Sequence, residues 1–459
     1  MKTNKILTLG ATLALLLASS QSMAELSVDE IARLGADLTP LGGEVAGNAD
    51  GTIPAWDGGI KSAAEAGYPD YKTGGHHPDP YKDESPLLTI TAENMDQHSD
   101  KLAEGQKAML AIYPDFAMKV YPSHRSAAYP QRFYDATKTA AATAKLTETG
   151  NGVDDAAKGI PFPIPKNGLE TIWNHILRYR HDNSIVRHLG QAPVLRNGDF
   201  TLVKIVDAGL PIYHLPGSTP DSLDNIIIKF KQKVIAPPRL AGTLLFVHET
   251  LDQFKEPRKA WMYNPGQRRV RRAPNMAFDN PSIASDGLGT ADQYDMFNGS
   301  PERYHWELVG KKEMYVPYNT YRLHSNALKY SDIIKPLHLN PEHLRYEQHR
   351  VWIVEATLKE GMRHVYKRRT FYIDEDSWQI LHVDQYDNRD QLWRISEGHV
   401  INYYELPLLW TTLEVHYDLH SGRYLAFGLN NEEEVTLDFS SNLPESEFSI
   451  AAMRRDGRR

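Results

Sequence analysis

The stretch WMYNPGQRRVRRAP, Trp261 to Pro274, sets four arginines within five residues, directly after two aromatics and a Pro-Gly pair. A basic patch for an anionic polymer, a catalytic cluster and the outside of a β-hairpin would all begin this way. Locally, Asn264-Pro265-Gly266-Gln267 predicts a type II turn, with proline presetting φ and glycine supplying positive φ at the third position. In the tight register Trp261 faces Val270 and Tyr263 faces Arg268. Side chains alternate along strands, so Trp261, Tyr263, Arg268, Val270 and Arg272 share one face, and Met262, Arg269 and Arg271 the other. Arginines thus stand on both faces. A guanidinium on an inner sheet face needs a carboxylate, an aromatic ring or a ligand. The blander reading pairs all four with solvent or with the 59 acids of the chain.

Working outward, the chain from Asp199 to about residue 445 reads as β-runs of five to ten residues. FTLVKIVDA, NIIIKFK, TLLFVHET, KAWMYN, RYHWELVG, KEMYVPY, RVWIVEATL, HVYKRRTFYID, WQILHVDQYD, QLWRIS and TTLEVHYDL are separated by short polar or Gly/Asn/Asp turns. That pattern predicts an antiparallel meander. Residues 25–198 read as a loop-rich and helical region packed on the sheet. A capping box at Ser27 and Glu30 predicts a short helix to Leu34. Met95, Leu102 and Met109 at heptad spacing predict a helix over Thr91–Tyr113. Asn167 and Glu170 open a further helix with Leu169, Ile172, Trp173, Ile176 and Leu177 on its apolar face. Residues 446–459, ending in RRDGRR, read as a tail. The expected class is α+β, mainly β: a large, curved antiparallel sheet packed with helices.

The first 24 residues read as a cleavable export signal. Lys2 and Lys5 precede the apolar run Ile6–Leu17, and Ser22-Met23-Ala24 supplies the small residues of a cleavage site. No later segment has the length and apolarity of a membrane span. There is no cysteine, so no thiolate chemistry, disulfide or lipidated N-terminus is expected. Removing two lysines and no acids changes the formal charge from −8 to −10. Such a chain is a poor general binder of nucleic acid. The expected location is the periplasm, not membrane-integral and not lipidated.

Catalytic signatures are missing: there is no G-x-S-x-G, H-E-x-x-H, P-loop or G-x-G-x-x-G. His248-Glu249 lacks the second histidine of a zinc-protease motif. His76-His77 lies in a Gly/Pro/Asp stretch and reads as solvated loop. Asp374-Glu375-Asp376 lies between two strong strands and reads as a solvated turn. No catalytic residue, cofactor or metal ligand is assigned.

KAWMYNPGQRRVRRAP resembles the signature of the domain of unknown function 1329 family, exported bacterial proteins related to outer-membrane lipoprotein-sorting proteins. The resemblance extends through LGADLTPLGGEVAGNADGTIPAWDGG, YDMFNGSPERYHWELVGKKEMYVPYN and HVYKRRTFYIDEDSWQILHVDQYDNRDQLWRISEGH. It implies an unclosed half-barrel, lipoprotein-carrier-like, with an apolar cavity, and a carrier or accessory role beside an envelope exporter. The chain is longer than such carriers, and its first 200 residues would fill or lid the cavity. The expected function is a binding or carrier protein for a lipid or other hydrophobic ligand, not an enzyme. Trp261, Tyr263 and Val270 would line the cavity, with Arg268 or Arg272 on an acidic headgroup. Two alternatives stand. One is an assembly factor holding an envelope transporter or outer-membrane protein through Arg269 and Arg271. The other is a carbohydrate- or lipid-acting hydrolase.

Overall fold

The computed structural model describes residues 26–457 except 274, 275 and 277. The expected export signal lies outside them. Two short strands, β1 (Leu88–Ile90) and β2 (Met118–Tyr121), come first, and β3 (Lys145–Leu146) and β4 (Val153–Asp154) form a separate pair. The first half of the main sheet comprises β5 (Ile185–Val194), β6 (Val203–Leu210), β7 (Ile226–Ala236), β8 (Leu244–Thr250), β9 (Lys259–Asn264) and β10 (Arg269–Arg272). The second half comprises β11 (Tyr304–Pro317), β12 (Tyr346–Leu358), β13 (Arg368–Asp374), β14 (Ile380–Tyr386), β15 (Leu392–Asn402), β16 (Leu409–Asp418) and β17 (Arg423–Leu429), followed by β18 (Leu437–Asp438). Each half is an antiparallel meander, and β17 pairs with β5 to join them into one 16-stranded sheet that does not close.

Three details depart from the expected meander. The sheet begins before Asp199, because β5 is one of its central strands. The runs RYHWELVG and KEMYVPY are one strand, β11, bent at a bulge between Leu308 and Gly310. The sheet is mixed, since β2 meets β12 in parallel at Tyr346–Val120 and Glu347–Tyr121.

The sheet curls, and one short segment touches both of its halves. Asp292 accepts a hydrogen bond from Arg369 of β13 at 2.8 Å, and Asn298 donates one to Glu249 of β8 at 3.2 Å. Eight inter-strand spacings separate β13 from β8, which is about 38 Å along a flat sheet. Six residues reach only about 21 Å fully extended, and Ala291–Met296 is wound into 3-10 turns. The sheet therefore wraps round this segment, which plugs its inner face.

The described residues form six α-helices, α1 (Val28–Ala32), α2 (Glu104–Ile112), α3 (Gln131–Ala140), α4 (Gly168–Ile176), α5 (Tyr330–Ile333) and α6 (Ile450–Asp456), of which α1 clusters with Ala141 and Ile164 rather than with a strand. The Ser27–Glu30 capping box and the Asn167 cap are both formed. Helix α4 is buried almost all round, with Ile172 and Trp173 in one core with Phe371, Val383 and Trp410 of the inner sheet face. Helix α2 packs Met109 and Leu110 on the outer face with Ile395, Val415 and Tyr417. The helix expected over Thr91–Tyr113 is two pieces, Met95–Lys101 and α2, because the start of α2 is bound to the sheet. The Gly105 amide donates to Asp384 Oδ1 at 2.9 Å. A Cβ there would lie 2.3 Å from that oxygen, so only glycine allows the approach.

Residues 446–457 are not a free tail. Ser449 caps α6, and Asp456 pairs with Lys231 at 3.0 Å. Met453 is fully buried with Leu244, Phe246 and Tyr263. Replacing it with alanine is expected to lower stability by about 2 kcal/mol, measured as a shift in the urea midpoint. An unchanged midpoint would show that α6 adds nothing to the sheet.

Candidate functional site

The opening hairpin forms, but its turn and placement differ from expectation. Arg269 pairs with Asn264, Val270 with Tyr263, Arg271 with Met262 and Arg272 with Trp261. Gly266 does not take positive φ; Arg268 does, at +52°, and its amide closes the loop on Asn264 O at 2.8 Å. The loop is thus longer than a two-residue type II turn, whose twist fits a hairpin poorly. The longer loop shifts the register by two residues and keeps the faces: Trp261, Tyr263, Val270 and Arg272 on one side, Met262, Arg269 and Arg271 on the other. Arg268 lies in the loop.

The aromatic side is the outer one. Cross-strand pairs carry Trp261 to Phe246 and Tyr263 to Leu244, both under α6. Met262 pairs with Leu245, which with Val247, Phe230 and Ala260 belongs to the inner side. Trp261, Tyr263, Val270 and Arg272 therefore lie opposite the plugged interior. Tyr263 and Arg268 edge an open groove with Lys233, Pro265 and Gly457 instead.

The enclosed apolar space sits between α4, the plug and β5–β8. It is a slot of about 50 Å³ walled by Ile176, Ile185, Ile227, Ile228, Phe230 and Trp410. Charged groups edge it, and each is paired. Arg187 donates to Asp207 at 3.0 Å and to the Tyr294 hydroxyl at 2.9 Å, and Tyr294 donates to Asp207 at 2.5 Å. The Arg187 guanidinium also lies 5.5 Å from the Trp410 ring and 5.4 Å from Phe427, a cation–π box that retains a buried charge. Burial works against that charge, and Tyr294 and Asp207 more than offset it. Arg180 and Arg178 converge on Asp295, and Arg258 holds Glu249 at 2.7 Å.

Asp295 has further consequences. Burial opposes its charge, but Arg178 and Arg180 hold the carboxyl well below its usual range. That fixed negative charge acts on Glu414: burial first, then Asp295, push the Glu414 carboxyl up to about 7. Sequence reasoning missed this set. The arginines and acids stand singly in different strands, and only the curl of the sheet gathers them.

Two other readings change. His77 is buried, with Nε2 2.7 Å from Glu405 and Nδ1 3.2 Å from the Tyr71 hydroxyl. Asp374, Glu375 and Asp376 are all buried beneath the N-terminal segment.

Comparison with known proteins now places the chain. Residues 89–454 match the family described as "Protein of unknown function (DUF1329)". The chain belongs to that family. It is 52% identical over 458 residues, the full length of both chains, to "Uncharacterized protein PA3922" of Pseudomonas aeruginosa. Among solved structures it is similar to a putative outer membrane lipoprotein-sorting protein domain from Vibrio parahaemolyticus, with 14% identity, a TM-score of 0.43, and 63% of this chain and 98% of that one covered. A DUF1329 protein from Desulfovibrio piger gives 14%, 0.41, 60% and 92%. Among the described residues no helix is long and apolar enough to cross a membrane.

The Glu414 shift has a definite sign. The folded chain keeps this acid neutral up to about pH 7, whereas its ordinary value is 4.5. Its contribution is full below pH 4.5 and is lost as pH rises through 7, by up to about 3 kcal/mol. Glu414→Gln is therefore expected to gain stability relative to wild type between pH 5 and pH 8. Parallel urea midpoints across that range would show that Glu414 ionises freely in the fold.

Proposed function

We propose that the protein is a periplasmic binding or carrier protein for a lipid or other hydrophobic ligand. The observation that carries this reading is the apolar slot on the inner face of an unclosed, curled sheet, with buried arginines at its edge. Apolar surface entering the slot would gain roughly 25 cal/mol per Å². Arg187 and Arg180 are the cations nearest an acidic headgroup, which would compete with Asp207 or Asp295 for them. The sequence alone pointed to Trp261, Tyr263, Val270, Arg268 and Arg272 for this role; the slot supports the inner-face residues instead.

Size matters to the reading. An apolar cavity of about 150 Å³ is what accommodates benzene, and this slot is about 50 Å³. An acyl chain needs the plug to move aside, so uptake would require the slot to widen. A hydrolase is less well supported: the carboxyls with raised pKa values, Asp79, Glu170, Asp374 and Glu414, are not among the residues lining the slot.

Gly209 lines the slot, and a Cβ there would meet Ile228 at an ordinary 3.6 Å. Gly209→Val is expected to fill the space without strain. It should raise the Kd for dansyl-undecanoic acid at least tenfold and leave the melting temperature within a few degrees. No uptake by wild type sinks the carrier reading, and equal uptake by both moves the ligand elsewhere.

A second reading rests on the hairpin. Arg269, Arg271 and Arg272 of β10, which ends the sheet order, and Arg268 in the loop before it have no acidic partner among the described residues. In a net-acidic chain, such a strand suits an acidic segment of an envelope exporter or outer-membrane protein. Joint replacement of Arg269 and Arg271 by glutamate is expected to abolish co-purification with that partner and to spare dansyl-undecanoate uptake. Retained co-purification would dismiss it.

A further inference from the structure

Beyond the slot, the inner core holds a second cluster of titratable groups that the carrier reading does not use. Asp374 ends β13, and the turn after it carries Glu375 and Asp376. Arg125 forks onto Asp376, with Nε to Oδ2 at 2.8 Å and Nη2 to Oδ1 at 2.7 Å. Arg350 and Lys311 hold Glu375 at 2.7 and 2.8 Å. The N-terminal segment closes over the turn. Arg125 also donates to Glu44 O at 2.7 Å, and a Cβ on Gly43 would lie 2.9 Å from Asp376 Oδ1.

Asp374 is different. Its Oδ2 accepts from Ser377 and from the Tyr318 hydroxyl at 3.2 Å, but its buried Oδ1 has no donor. The Tyr129 hydroxyl, near Asp374, is also fully buried and meets no hydrogen-bond partner within 3.5 Å among the described residues. An unmet buried polar group costs about 1–3 kcal/mol, so the bare Asp374 Oδ1 calls for a partner.

His349 completes the group. Its ring stacks on Tyr318 with centroids 3.8 Å apart. Its Nε2 lies 3.0 Å from Glu347 Oε2. A carboxylate there fixes the proton on Nε2 and leaves Nδ1 as a lone-pair donor, the outer arrangement that metal-bound histidines use. One ligand atom from each of His349, Asp374 and Asp376 lies within 4.8 Å of the others. Arg125 uses one lone pair on each Asp376 oxygen and leaves another.

We propose that His349, Asp374 and Asp376 bind one divalent transition-metal ion, with zinc the best match. One imidazole and two carboxylates suit zinc better than calcium or magnesium, which take all-oxygen shells. Local charge agrees. Around the site, Arg125, Arg350 and Lys311 pair with Glu44, Glu375 and Asp376, and Arg345 pairs separately with Glu84 and Glu347. With Asp374 beside them, six carboxyls meet four cations, and Asp374 has no ion-pair partner of its own among the described residues. The ion would be structural, tying the turn after β13 to β12 beneath the N-terminal segment.

The test uses the mature chain without an affinity tag, unfolded in guanidinium with EDTA and refolded with either ZnCl₂ or EDTA. The expected result is about one zinc per chain retained after dialysis, measured by mass spectrometry of the metal. The melting temperature should rise by several degrees over the EDTA-refolded chain. Asp374→Asn and His349→Gln, near-isosteric changes, should hold less than a tenth of that zinc and melt at one temperature with or without it. Zinc retained equally by wild type and His349→Gln overturns the proposal, as does a wild type that retains none. The wild-type comparison decides even if a variant misfolds.

Discussion

Asp295 holds three elements together at one carboxylate. Arg178 and Arg180, just past the end of α4, converge on it, and the Trp410 indole of β16 donates to it at 2.9 Å. The residue itself has φ +57°, a conformation that non-glycine residues adopt only when their surroundings impose it. Breaking one side of such a buried pair typically costs about 3–5 kcal/mol, because an uncompensated charge stays behind. The helix, the plug and the sheet are thereby made one unit. The curl of the sheet, the burial of α4 and the small size of the slot all depend on this contact.

That dependence bears on how a cavity of this kind could open. An apolar plug held by dispersion alone could slide in small steps. A plug held by two arginines on one acid cannot, since any partial withdrawal strands a charge away from water. Under the proposed carrier role, opening would be all or none, and a ligand would bring its own acid for the arginines or let water in. The raised pKa of Glu414 follows from the same geometry: a second carboxyl so close to a fixed negative charge is easier to bury neutral than ionised.

Much of the strand content was legible because it is local. Lys259–Asn264 reads as a strand from its own letters, and so do the Asn167 cap and the Ser27 box. The family and the unclosed, mainly β fold were also legible. The seam was not. Strand β5 contains Gly190 and Pro193, and β17 contains Gly428 at φ +110°, so neither shows clean alternation. Yet their pairing joins the two meanders. The side of the hairpin was not legible either. Alternation sorts Trp261 from Met262, but which face lies inside depends on a sheet curling round residues 291–298 and on α6 arriving from the far end of the chain. The candidate sites failed to show for the same reason: Arg187, Glu249, Asp295 and Trp410, like His349 and Asp374, are isolated letters until the sheet closes on them.

The quoted N-terminal motif acquires a physical meaning from this. Gly42 takes φ +95°, and a Cβ on it would fall 1.8 Å from Pro163 O, while Gly43 lies against Asp376. Trp378, directly after the acidic turn, donates its indole to Leu41 O at 3.0 Å. The LTPLGGE segment is therefore shaped by the carboxylates it covers rather than by its own propensity. A stretch that looks like loose linker by composition is a cover over a buried cluster of charged groups. Its glycines are there for closeness of approach, not for flexibility.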